Sequence, residues 1–182
     1  MILGLVGPFC SGKDVVGSIF SQKGFTIFSF GDILREEMTK RGLPLMREEI
    51  QKFGNQLRRE EGAGAIAQRI IAKMRPEKNY LIQGFRNPAE IQEFRKLGIF
   101  LVAINAHPHI RFERMLQRRR ERDPTTYEDF INLEDKELRG IGQSSDGLRI
   151  KDCMDMADEI IINEGTFEDL KKKIDIILRK LD

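Results

Sequence analysis

The segment Gly7-Pro8-Phe9-Cys10-Ser11-Gly12-Lys13-Asp14 sets two glycines and a lysine at the G-x-x-x-x-G-K spacing of a Walker A phosphate loop. Small residues let successive backbone amides turn inward around phosphate oxygens, and a following helix adds the positive end of its dipole. Lys13 supplies a mobile charge for β and γ phosphates. The context matches, because an apolar run ends at Val6 and helical character begins near Lys13. The expectation is that Gly7, Pro8, Phe9, Cys10, Ser11, Gly12, Lys13, Asp14 and Val15 hold the triphosphate of ATP. The alternative, a chance glycine turn between a strand and a helix, has less to recommend it in this setting.

One position departs from the motif. Asp14 stands where Ser or Thr normally touches magnesium. A carboxylate can hold Mg2+ directly or through water, but it also brings negative charge close to phosphates. Asp14 is therefore a candidate metal ligand, and binding of the nucleotide is expected to depend on Mg2+.

Six arginines crowd a second stretch: Arg111, Arg114, Arg118, Arg119, Arg120 and Arg122. Arg111, Arg114 and Arg118 fall on one helix face at three- and four-residue steps. Charge runs are ordinarily solvated faces. Beside a phosphate loop, an arginine lid that neutralises transition-state charge is the stronger reading, with Arg114 and Arg118 as its catalytic members and the rest at the surface. Glu113, Glu121 and Asp123 sit among these arginines and weaken the case for an RNA-binding patch.

These groups must be positioned by a fold, and the chain has the material for one. Its 182 residues suit one domain, and 40% hydrophobic residues suffice for a core. Charged residues are a third of the chain, yet the formal net charge is only +2, which argues against nucleic acid as a general partner. Cys10 and Cys153 have neither C-x-x-C spacing nor a histidine pattern, so a reduced, cytoplasmic setting is the simple reading. The N-terminus lacks the features of a signal peptide, and no apolar run reaches the ~20 residues of a membrane span.

Apolar runs at Ile2 to Val6, Phe25 to Ser29, Tyr80 to Gln83, Phe100 to Asn105 and Glu159 to Asn163 read as buried parallel strands, because they lack the alternation of half-exposed ones. Helical segments separate them, at Lys13 to Lys23, Asp32 to Arg41, Arg47 to Glu61, Ala63 to Met74, Pro88 to Leu97, Pro108 to Arg122, Tyr127 to Leu138 and Phe167 to Leu181. This alternation predicts an α/β fold with a five-stranded parallel sheet covered on both faces. Gly140 to Gly147, rich in glycine and serine, reads as a mobile loop.

Two segments after the second and third strands carry a resemblance. Phe30-Gly31-Asp32-Ile33-Leu34-Arg35 resembles the T-G-D-x-L-R segment of adenylate kinases, and Gln83-Gly84-Phe85-Arg86 resembles their D-G-F-P-R segment. By that resemblance Arg35, Gly84 and Arg86 bind the acceptor phosphate, and Asp32 helps to organise the magnesium–water network. Guanidinium groups suit the task through their paired donors. Phe30 replaces the family's threonine, Gln83 its aspartate, and the proline before the arginine is missing. A carboxylate is thus lost at Gln83 and gained at Asp14, and Asp14 is expected to take over the lost function.

The segment from Ala157 to Leu170, with Asn163 and Gly165, looks like the end of dephospho-CoA kinases. In P-loop kinases this turn lies near the donor base, which makes Asn163 and Gly165 candidate cofactor contacts. Thr166 reads as a helix N-cap. The whole chain most resembles adenylate-kinase-related P-loop proteins common in archaea. The resemblance implies strand order 2-3-1-4-5 and a single kinase domain. It would have a core at 1–30, 76–113 and 140–182, an acceptor-binding region at about 31–75 and a lid at about 114–139.

The function so expected is transfer of the γ-phosphoryl group of ATP, with Mg2+, to a nucleotide acceptor. A nucleoside or deoxynucleoside monophosphate comes first. Dephospho-CoA is the alternative, with Asp32 as base for a ribose hydroxyl. A nucleotide-dependent ATPase switch without a small acceptor is the third reading. His107 and His109 flank Pro108 without a third ligand and read as a turn, not a metal site. Arg58, Arg59, Glu60 and Glu61 read as an exposed helix face, with contact of Arg58 to an acceptor phosphate as the lesser alternative.

Overall fold

The computed structural model describes residues 1–118, 123–139 and 149–181. Strands β1 (Ile2–Val6), β2 (Thr26–Ser29), β3 (Tyr80–Gln83), β4 (Phe100–Asn105) and β5 (Glu159–Ile162) form one sheet in the order β2-β3-β1-β4-β5, every neighbouring pair parallel. The expected order and strand direction are both observed. Around the sheet lie helices α1 (Lys13–Gln22), α2 (Phe30–Lys40), α3 (Arg47–Glu61), α4 (Ala65–Ile71), α5 (Pro88–Arg95), α6 (Pro108–Arg118), α7 (Tyr127–Arg139), α8 (Ile150–Asp155) and α9 (Phe167–Leu181).

Alternate strand residues point to opposite faces, and here both faces are buried. Leu3, Leu5, Leu81, Val102, Ile104 and Ile161 enter one core, closed by Val16, Ile19 and Phe20 of α1 and by Leu170, Ile174 and Ile177 of α9. Val6, Tyr80, Ile82, Leu101 and Ala103 enter the other, with residues from α2, α3, α4, α5 and α8. This is why the strands read as unbroken apolar runs. In the second core Phe30, Phe85 and Phe94 pack with ring centroids 4.9, 5.7 and 6.4 Å apart, geometry that adds to plain burial.

Parallel strands bring their C-terminal ends to one edge, and the chain leaves β1 between β3 and β4, where the strand order reverses. That is the crevice at which open α/β sheets bind ligands. The connections after β1, β2, β3, β4 and β5 all converge there.

Several expected boundaries move. Helix α2 starts at Phe30 and not Asp32, because Phe30 buries its ring while the extended Ser29 occupies the N-cap. Helix α4 is shorter than the expected Ala63 to Met74, since glycines at 62 and 64 delay its start. Helix α8 has no counterpart in the sequence reading. Its six residues are too few for a periodic signal, and it is held by burial of Ile150 and Cys153. The glycine-serine stretch at 140–147 and Arg119, Arg120 and Arg122 lie outside the described residues. Among the described residues, no helix is long and apolar enough to cross a membrane.

Candidate active site

Residues 7–12 connect β1 to α1 in a tight loop. Gly12, at the helix N-cap, has φ 104°, a left-handed conformation that favours glycine, and a Cβ there would lie 2.3 Å from Asn163 Nδ2. A Cβ on Gly7 would lie 2.1 Å from the carbonyl oxygen of Ile104. Both glycines of the motif are thus required by close approach as well as by the turn. Ser11 is fully buried, and its carbonyl accepts a hydrogen bond from Asn163 Nδ2 at 2.8 Å.

Lys13 Nζ donates to the carbonyls of Gly7 and Pro8, each at 2.7 Å. Burial pushes its pKa down to about 8, against the pull of Asp14, while Arg86 lowers it further and Glu137 raises it. The Cys10 thiol, in the same loop, is pushed up by burial, with Arg118 opposing.

The loop floors a cleft of about 720 Å³ whose lining includes Lys13, Asp14, Arg35, Arg86, Arg114, Arg118 and Glu137. The three arginines of α6 have separate fates. Arg118 lies over the Phe9 ring, 4.1 Å from its centroid, and donates to Asp123 at 2.9 and 3.1 Å. Arg114 donates through Nη2 to the carbonyl of Asn163 at 2.9 Å, while its buried Nη1 has no hydrogen-bond partner. Arg111 corrects the expectation of a surface residue. It is buried, donates to Ala106 O at 2.7 Å, and forms a two-pronged pair with Glu134 of α7 at 2.5 and 2.7 Å.

A second cavity of about 360 Å³ adjoins the cleft. Phe30, Leu34, Leu45 and Ile50 give it apolar walls, and Gln51, Arg35, Arg58 and Arg86 give it polar ones. Phe9, Arg35 and Arg86 line both spaces and so stand at their boundary. Arg58 is buried, which corrects its reading as an exposed face. It donates to Glu90 Oε1 at 3.0 and 2.7 Å and to Asn55 Oδ1 at 3.1 Å. The other Glu90 oxygen accepts from the backbone N–H of Arg86 at 2.9 Å and of Asn87 at 3.2 Å. Asn87 and Glu90 form the capping box that starts α5.

These residues fit a nucleoside triphosphate with a divalent cation. The α1 N-terminus, Lys13 and the orphaned Arg114 Nη1 suit phosphate oxygens, and exposed Asp14 in the first turn of α1 suits a cation.

Comparison with known proteins agrees with this architecture. A family model described as an AAA domain matches residues 6–130. A UPF0200 protein of Pyrococcus horikoshii is 36% identical over the whole chain and 97% of its own length. The UPF0200 protein of Methanothermobacter thermautotrophicus is 31% identical over the whole chain and 90% of its own length. The chain belongs to the UPF0200 family. Among solved structures, this UPF0200 chain resembles shikimate kinase of Aquifex aeolicus, with TM-score 0.57 and 21% identity over 99% of the chain and 97% of that structure. A gluconokinase of Sinorhizobium meliloti gives TM-score 0.52 and 14% identity over 92% of the chain and 85% of that structure. At such identities the likeness concerns the fold, which is that of P-loop kinases.

Of the residues singled out in the sequence, Gly7, Phe9, Cys10, Ser11, Gly12, Lys13, Asp14, Val15, Arg35, Gly84, Arg86, Arg114 and Arg118 line the UPF0200 cleft together. Pro8 faces the opposite side of the loop, in a hollow with His107 and Arg111. Asp32 does not join them. It is exposed and paired at 2.6 Å with Arg35, which holds its carboxylate at the rim of the cleft. Asn163 is buried behind the phosphate loop, and Gly165 is exposed beside Asp169 in the turn before α9. Thr166 Oγ1 accepts from Asp169 N at 3.2 Å, the cap expected of it.

Glu137 and Glu90 escaped the sequence reading, and Arg58 was placed on an exposed face. Glu90 had a local signal, three residues after Asn87 and just after Pro88. Glu137 had none, since only the packing of α7 directs it inward.

Asn163 joins Ser11 of the loop to the last strand, so its removal tests the loop's rigidity. Asn163→Ala should weaken ATP binding about tenfold, roughly 1.4 kcal/mol, by leaving a buried carbonyl without its donor. Titration calorimetry measures this, and unchanged affinity would mean that the loop holds its shape unaided.

Proposed function

We propose that this protein is an ATP- and Mg2+-dependent phosphotransferase that passes the γ-phosphoryl group to a nucleoside or deoxynucleoside monophosphate in the cytoplasm. The observation that carries the reading is that Arg35 and Arg86 line both the phosphate cleft and the adjoining cavity. An acceptor phosphate held between them faces the triphosphate, while its uncharged body enters the space walled by Phe30, Leu34 and Ile50. The charge of Arg58 is matched by Glu90, so the anionic end of an acceptor is drawn to the boundary and not to the interior. Residues 31–75 then serve the acceptor, about 114–139 form the lid, and the remainder is the core.

The work of the chain's own groups follows from their placement. Lys13 exchanges its loop carbonyls for phosphate oxygens. Arg114 offers its unpartnered Nη1. Arg118, held beside Phe9 by Asp123, spreads charge over the transferring group and excludes water. Magnesium, when bound, neutralises phosphate charge, and Asp14 is its ligand. Gln83 supports this last point. A Cβ on Gly17 would lie 3.3 Å from the buried, unpartnered Gln83 Oε1, and Gly17 follows Asp14 by three residues on one face of α1. Asp14→Ser should lower transfer at least a hundredfold, about 3 kcal/mol, and Gln83→Asp added to it should restore most of the loss. Full activity of Asp14→Ser in a steady-state assay would reject the exchange of roles.

A coupled assay with ATP and Mg2+ against a panel of nucleoside monophosphates and dephospho-CoA tests the function itself. Transfer to a monophosphate is the expected result. Transfer to dephospho-CoA alone would move the acceptor to a hydroxyl. ATP hydrolysis that no acceptor changes would indicate a switch.

A further inference from the structure

A carboxylate among phosphate-binding groups needs a reason, because it repels the ligand that its neighbours attract. Glu137 is buried at 9% exposure, and it lines the cleft with Lys13, Arg35, Arg86, Arg114 and Arg118. Its charge reaches the Lys13 ammonium. Its place is fixed one turn earlier on the same face of α7. Glu134 lies one turn before it and is gripped by Arg111, whose Nη1 also approaches the carbonyl of Phe9 in the phosphate loop at 3.4 Å. The chain Phe9–Arg111–Glu134 therefore ties α7 to the loop and holds Glu137 in the cleft that Lys13 lines.

Lys13 marks where the β and γ phosphates lie. Among the described residues, the cleft is lined by two carboxylates, Asp14 and Glu137. Asp14 is on α1, at the donor and metal end. Asp32, the other acid that could serve as a base, is not among the lining residues and is paired with Arg35 at the rim. A monophosphate acceptor is already ionised and gives up no proton. A hydroxyl nucleophile must lose one, and a carboxylate facing the γ phosphate is suited to take it.

We propose that Glu137 is the proton acceptor for a hydroxyl nucleophile attacking the γ-phosphoryl group. This rests on the phosphotransferase reading and adds a second route to it. The nucleophile is either water, giving hydrolysis, or an alcohol of an acceptor. Its oxygen forms the new bond to the γ phosphorus. The bond from that phosphorus to the β–γ bridging oxygen breaks, the electron pair leaves with ADP, and the hydroxyl proton passes to a Glu137 carboxylate oxygen. The repulsion between Glu137 and the triphosphate is offset by the cations around it.

The test compares the wild-type protein with Glu137→Gln and Glu137→Asp, using ATP and Mg2+ in three arms: no acceptor, nucleoside monophosphates, and dephospho-CoA as the alcohol. Calorimetry supplies ATP affinity, and thermal melting confirms folding. Glu137→Gln should slow hydrolysis, or transfer to the alcohol, about a hundredfold with ATP affinity within about twofold of wild type. Transfer to a monophosphate should fall at least tenfold less than the proton-requiring reaction, and Glu137→Asp should keep part of the rate. Activity in the first or third arm shows whether water or an alcohol is the nucleophile. Equal loss in all arms, or a rate loss that follows ATP affinity, would make Glu137 part of phosphate binding and overturn the proposal. So would a wild-type protein that transfers only to monophosphates and never hydrolyses ATP, although the phosphotransferase reading would then stand. A wild-type protein without ATP binding would end both.

Discussion

Lys13→Met should lower phosphoryl transfer about a thousandfold, roughly 4 kcal/mol of transition-state stabilisation, while the protein stays folded. Lys13 is half-buried, and its ammonium spans the carbonyls of Gly7 and Pro8 at 2.7 Å each. The electrostatic setting is strong because the site is partly desolvated, as the low pKa of about 8 records. Methionine keeps the length and apolar contacts of the stem but offers no charge to the developing negative oxygens. The fold should tolerate this, because the loop floors an open cleft that water can enter. Steady-state kinetics and thermal melting together check the claim. A large fall in melting temperature would mean that Lys13 holds the loop together and not the phosphates. An unchanged rate would remove the loop from the reaction altogether.

Glu90→Ala should destabilise the protein by about 3 to 5 kcal/mol, the range for breaking a buried ion pair by removing one partner. Glu90 is fully buried and Arg58 nearly so. Alanine would strand the Arg58 guanidinium in the second core, leaving it the hydrogen bond to Asn55 Oδ1 but neither of those to Glu90. It would also release the backbone N–H groups of Arg86 and Asn87. For a chain of this size the melting temperature should fall by about 10 °C. Removing both charges, as in Arg58→Met with Glu90→Gln, should recover much of this, because no uncompensated ion is left. If the double variant is as unstable as the single one, the backbone contacts of Glu90 outweigh its pairing with Arg58. Glu90 also replaces what the missing proline would have done after Phe85. A fixed ring would have stiffened that turn; here a buried carboxylate holds the two amides from within.

The phosphate loop was readable in sequence because its chemistry is backbone chemistry. Two glycines, a lysine and the strand before them determine a local shape, and local shape depends on neighbours in the chain. The same is true of the strands. Burial on both faces leaves unbroken apolar runs, and the runs at Ile2–Val6, Tyr80–Gln83 and Phe100–Asn105 coincide with β1, β3 and β4. Arg35 and Arg86 were found through short motifs beside strand ends, which a parallel sheet must bring to one edge.

Asp32 shows where local reasoning failed. Its carboxylate is exposed and paired with Arg35, and it is not among the residues that line the cleft. Arg58 and Arg111 failed in another way. Each sits in an ordinary charged helical pattern, and each is buried because an acid distant in sequence, Glu90 or Glu134, meets it in space. An ion pair across 32 or 23 residues has no spacing to read.

The sequence by itself determined that this chain carries the Walker A spacing from Gly7 to Lys13 and that a parallel sheet carries the loop. Tertiary structure alone decided which carboxylates share the cleft. It admitted Glu137, excluded Asp32, and put Asn163 behind the loop. The physical reason is that a backbone cradle is made by adjacent residues, whereas the surroundings of a side chain are made by whatever the packing of distant helices sets against it.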